Sequence, residues 1–69
     1  MNYGLEIEQE TDGRWIAEVP DLPGVMAYGA TAHEAMVKAE ILALRVLADR
    51  LEHGEAEPSD IQISIPDAA

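Results

Sequence analysis

Residues 15–31 read "WIAEVPDLPGVMAYGAT", and the order of signals in that stretch decides the fold. Trp15 to Val19 alternates as a half-buried strand does, with Trp15, Ala17 and Val19 on one side and Ile16 and Glu18 on the other. Pro20 and Pro23 have no amide hydrogen for a ladder, so Pro20-Asp21-Leu22-Pro23-Gly24 leaves the sheet and turns. Val25 to Gly29 resumes as a third short strand. Thr31-Ala32-His33-Glu34 then matches a capping box: the Thr31 hydroxyl accepts from the amide of Glu34, and the Glu34 carboxylate reaches back to the amide of Thr31.

Upstream, Asn2 to Gln9 also alternates, with Tyr3, Leu5 and Ile7 opposed to Gly4, Glu6 and Glu8. Between the two alternating segments lies Asp12-Gly13, a hairpin signal whose loop length follows from matching faces. A two-residue loop would set Ile7 opposite Glu18, mixing core with charge. A three-residue loop, Thr11-Asp12-Gly13, instead pairs Ile7 with Ala17, Leu5 with Val19 and Glu10 with Arg14. Loops of that length combine a type I turn with a residue at positive φ, the position Gly13 takes without a Cβ clash. The same register sets Glu6 against Glu18, a like-charge pair that weakens an isolated sheet and leaves it suited to a cation.

Downstream, Ala32 to His53 holds no Pro or Gly, and Ala35, Ala39, Leu42, Val46 with Ala43, Leu47, Leu51 fall at helical spacing as one wide apolar stripe. Gly54 ends the helix as a C-terminal cap. At a rise of 1.5 Å per residue it would run roughly 33 Å, longer than short strands need, so its last turns are expected to overhang or to meet another subunit. Glu55 to Ser59 is a polar linker. Asp60 to Ile65 is a final strand with Ile61, Ile63 and Ile65 on one side, stopped by Pro66.

The order strand, strand, strand, helix, strand predicts an α+β fold within a single domain, residues 1–69. A three-stranded antiparallel meander is followed by a helical crossover to a fourth strand, parallel to the first, in spatial order 3-2-1-4 with the helix on one face. The other face, with Glu6, Glu8, Ile16, Glu18 and Tyr28, and with Met26 beside them, is left uncovered as a candidate partner-binding surface.

Composition narrows the partner. Four Lys and Arg stand against 14 Asp and Glu, a net charge of −10. Such a surface repels phosphate backbones, so direct nucleic-acid binding is not expected and a basic partner is. The acidity also serves solubility, an alternative that composition alone leaves open. With no cysteine there are no disulfides. Neither a signal peptide nor a membrane span is read, and a cytoplasmic location is expected. A chain of this length buries only roughly 60% of the surface its unfolded form exposes, so a homo-oligomer, dimer or tetramer, is expected.

Catalytic chemistry finds no constellation. His33 and His53 lie about 30 Å apart if both are helical and cannot share a metal; His53 suits the orphan carbonyls of the helix C-terminus. Ser59 and Ser64 occupy no nucleophile elbow. Gly24 and Gly29 form no phosphate-cradling loop and are assigned to turn geometry. Glu6 and Glu8 share a face, but a two-metal site needs more converging acids than the last strand supplies. No cofactor, no metal and no enzymatic activity are expected. Trp15 is read as core packing and not as a stacking platform.

Asp12 to Leu44, "DGRWIAEVPDLPGVMAYGATAHEAMVKAEILAL", closely resembles the HicB-type antitoxin family. Its members carry a glycine turn, an aromatic strand start, a strand ending in a "PDLPG"-like turn and a "T-x-x-EA" helix start, here matched at Gly13, Trp15, Val19, Pro20, Asp21, Leu22, Pro23, Gly24, Gly29, Thr31, Glu34 and Ala35. The resemblance implies a sheet like a cut-down ribonuclease H without nuclease activity. It further implies binding to a small mRNA-cleaving toxin of the HicA type, held away from its RNA. Longer members continue into a DNA-binding domain, for which this sequence leaves no module after its last strand, so promoter binding is not expected. Short stand-alone members suggest an alternative, an oligomeric interaction protein with no cognate toxin.

Overall fold

The structure, a computed structural model, describes residues 1–67. It is a mixed α+β fold of five short strands and one long helix: β1 (Asn2–Gly4), β2 (Glu6–Gln9), β3 (Trp15–Glu18), β4 (Met26–Gly29), α1 (Ala32–Glu52) and β5 (Gln62–Ser64). The antiparallel ladders β2-β3-β4 form one sheet, and β1 pairs with β5 in parallel. The expected first strand is thus shared between two ladders. Its hydrogen-bonding groups alternate in direction, so Leu5 donates to the Ser64 carbonyl at 3.0 Å on one edge, while Glu6 to Gln9 pair with β3 on the other. The expected order, with the fourth strand beside the first and parallel to it, holds.

The hairpin takes the register deduced from matching faces. Glu6 pairs with Glu18 and Ile7 with Ala17. The Gly13 amide donates to the Glu10 carbonyl at 3.0 Å and the Glu10 amide to the Arg14 carbonyl at 2.7 Å, closing the three-residue loop. Gly13 has φ 95°, where a Cβ would clash with the backbone. Asp12 finishes the turn by accepting from the Arg14 amide at 3.0 Å and from its Nε at 2.8 Å.

The Pro20–Gly24 turn is a plug. Leu22 is 1% exposed: its amide donates to the Val19 carbonyl, and its carbonyl accepts from Val25, each at 3.0 Å. The two prolines keep the segment off the ladder and Gly24, at φ 85°, sends the chain back into β4. With Tyr3, Leu5, Ala17, Val19 and Val25, Leu22 faces Ala35, Ala39, Ala43 and Leu47 of α1. Alanines at that contact let the helix backbone lie close to the sheet. Gly29 is part of the same fit: a Cβ there would stand 2.6 Å from the Ala35 amide nitrogen. Its role is close approach and not the turn geometry expected of it.

At the helix start, Thr31 Oγ1 accepts from the Glu34 amide at 3.1 Å. The Glu34 carboxylate accepts from the Ala30 amide at 3.2 Å, and not from the Thr31 amide that the capping box anticipates. At the other end His53 is the C-cap and Gly54 follows at φ 71°. The apolar stripe stops earlier than its spacing suggested: Leu47 is buried, but Leu51 is 41% exposed because the last turn runs past the three- and four-residue strands. The last strand is likewise shorter than Asp60–Ile65, since β1 offers it only three partners. Ile63 packs against the core while Ile61 and Ile65 stay exposed. Among the described residues no helix is long and apolar enough to cross a membrane.

Candidate protein-binding face

On the sheet face away from α1, the registers fix which side chains are neighbours, because directly paired residues share a face. One row runs Glu6, Glu18, Met26 and the next Glu8, Ile16, Tyr28 across β2, β3 and β4. All the residues anticipated for this face, Glu6, Glu8, Ile16, Glu18 and Tyr28, therefore come together, with Met26 beside them on β4 as expected. Glu6, Glu8 and Glu18 are exposed, Ile16 is half-buried, and Met26 and Tyr28 are 45% and 42% exposed. Acids crowd the β2 side and apolar groups the β4 side.

Tyr28 does not hang free. Its hydroxyl donates to Glu10 Oε1 at 3.2 Å, and the Arg14 guanidinium lies 4.6 Å from its ring centroid. Arg14 is in turn held by Asp12 through an ion pair of 2.8 Å. The expected meeting of Glu10 with Arg14 exists in the backbone; the side chains divide otherwise, Arg14 going to Asp12 and Tyr28 while Glu10 takes the phenol. This cluster was missed on reading the sequence. Its signal was there: the register that pairs Glu10 with Arg14 places β4 on the far side of Arg14, diagonal to Tyr28.

The Arg14 amide, with help from its side chain, holds the Asp12 carboxyl below the usual carboxylate range. Glu34, away from this face, is lowered by the Ala30 amide first and by Lys38 second, the latter an i,i+4 pair at 3.3 Å. Among the described residues, Glu6, Glu8 and Glu18 belong to no ion pair. A row of unpaired acids beside an apolar strip can receive cationic side chains around a hydrophobic contact. The turn and cap residues Gly13, Pro20, Asp21, Leu22, Pro23, Gly24, Thr31 and Glu34 lie elsewhere and shape the scaffold.

The positive φ of Gly54 also turns Glu55 back toward the helix end, where its carboxylate and the ligand atoms of Asp49 and His53 lie within 4.8 Å of one another. All three are exposed, and His53 Nδ1 is 2.8 Å from the Asp49 carbonyl oxygen, the orphan-carbonyl contact anticipated for it.

The chain is 30% identical over 60 residues to UPF0150 protein Ta0767 of Thermoplasma acidophilum, covering 87% of this chain and 87% of the relative. No family model matches the chain, and no solved structure matches it.

Proposed function

We propose that this chain, which belongs to the UPF0150 family, acts by occupancy and not by turnover, as an antitoxin that masks a small basic ribonuclease of the HicA type. The observation that carries the reading is the outer sheet face, where Glu6, Glu8 and Glu18, in no ion pair among the described residues, lie beside Ile16, Met26 and Tyr28. An enzyme that binds RNA needs a basic surface, and an acidic face competes with phosphate for it. The carboxylates steer the encounter, and the apolar strip on the β4 side supplies contact area beside them. Tyr28, braced by Glu10 and Arg14, loses little rotamer freedom on binding. The resemblance of Asp12–Leu44 to HicB-type antitoxins supports the same partner.

The test uses a small basic ribonuclease of the HicA type; a reading frame for one beside this chain would identify the cognate partner. Wild-type protein should co-purify with it and restore growth when both are expressed, with association slowing as salt rises. The Glu6→Lys, Glu8→Lys, Glu18→Lys triple variant should lose both effects while keeping its helical circular dichroism. Unchanged affinity in that variant would place the interface elsewhere, and RNA cleavage by the isolated protein would overturn the reading.

A further inference from the structure

α1 buries Ala35, Ala39, Ala43 and Leu47 against its own sheet, so a helix serving one core should be polar on the opposite side. It is not. Val37, Ile41, Leu44 and Leu51 are 42%, 43%, 52% and 41% exposed, and Ala48 among them is exposed as well. Their spacing along the helix is four, three, four and three residues. That is the a/d repeat by which two helices wind together. The three-residue step from Ile41 to Leu44 makes Ile41 and Ala48 the a positions and Val37, Leu44 and Leu51 the d positions.

We propose that this seam packs against the same seam of a second copy, the two helices parallel and in register, as a symmetric dimer. Charge selects both the occupant and the direction. Beside the seam, Glu40 occupies a g position and lines a groove with Leu44, Leu51 and Ile61. On the other flank Lys38 and Arg45 occupy e positions and line a groove with Ile41. A parallel pair sets each g residue against the following e residue of its mate, which brings Glu40 of each copy to Arg45 of the other. Among the described residues neither Glu40 nor Arg45 has an ion-pair partner in its own chain.

The antiparallel pairing sets e against e, bringing Arg45 to Arg45 or to Lys38 of the second copy, and no antiparallel register layers all the seam residues. The central step, Ile41 at a followed by Leu44 at d, also favours two strands over three or four. Because its own sheet already orders α1, pairing carries none of the helix-nucleation cost that short coiled coils meet. The dimer joins helix to helix, so both sheets lie outside and both acidic faces remain open. The pairing is independent of what those faces bind.

Sedimentation equilibrium of the full chain should give twice the 7.5 kDa protomer mass, or a multiple of that dimer. Leu44→Glu should halve the mass with the far-ultraviolet circular dichroism unchanged. Glu40→Arg should weaken the dimer at least tenfold, and adding Arg45→Glu to the same chain should restore it. Direction is read by cross-linking, clean here because the chain has no cysteine. Oxidation of a mixture of Ala48→Cys and Val37→Cys chains should yield only like-to-like dimers by mass spectrometry. A monomeric wild type, a mass unchanged in Leu44→Glu, or links between positions 48 and 37 would overturn the proposal.

Discussion

Glu6 and Glu18 stand directly opposite one another on β2 and β3, both exposed on the sheet face that α1 does not cover. Like charges at paired positions weaken a sheet, and among the described residues neither acid has an ion-pair partner. The pair therefore costs the isolated chain stability and favours a cationic visitor.

A single reversal separates the two effects. Glu18→Lys turns the repulsion into attraction and should raise the urea midpoint of the isolated protein by the equivalent of about 0.2–1 kcal/mol. On the proposed function, the same variant should bind the basic partner more weakly. A variant less stable than wild type would show that the repulsion is not felt.

Leu22 should be the most costly residue of the Pro20–Gly24 turn. At 1% exposure it is among the largest fully buried side chains, and Leu22→Ala should lose about 2–5 kcal/mol. A chain of this size has only roughly 3–10 kcal/mol in total, so thermal melting should show a large fraction unfolded. Asp21→Ala, in the same turn but exposed, should shift the melt far less.

Two glycines give opposite expectations for one substitution. Gly29→Ala forces a Cβ to within 2.6 Å of the Ala35 amide nitrogen, and backbone must move to admit it. Gly4→Ala meets nothing within 4 Å and should be neutral or mildly stabilising, since it restricts the unfolded chain. Paired denaturation curves check both, and similar midpoints would mean that α1 tolerates a shift away from β4.

Acid should remove a defined contribution. Asp12 and Glu34 both titrate lower folded than free, so near pH 4 the unfolded chain binds more protons. Their stabilisation is complete above the ordinary carboxylate range and is lost as pH falls through the depressed folded values. Glu34→Gln keeps the acceptor for Ala30 and removes only the charge. It should be less stable than wild type at pH 7, the gap closing as pH falls through the lowered folded value of Glu34. A gap independent of pH would assign the effect to packing.

Much of the local architecture was legible in the sequence. The hairpin register followed from keeping Ile7 with Ala17, and the positive φ of Gly13 followed from that register. The Thr31 cap and the residues of the outer face came from the same kind of reading. Each is decided within a few positions of chain, by sterics and by the pleat that sorts alternate residues to two faces.

What only the tertiary structure decided are the choices made between segments. Glu34 reaches the Ala30 amide, Arg14 goes to Asp12 and Tyr28, and Leu51 is left outside a core whose strands end before the helix does. Gly29 answers to the height at which α1 crosses β4. The sequence carried the donors, acceptors and apolar groups for all of these. Which partner each one met depended on element lengths and packing distances, and those are set only when the helix settles on the sheet.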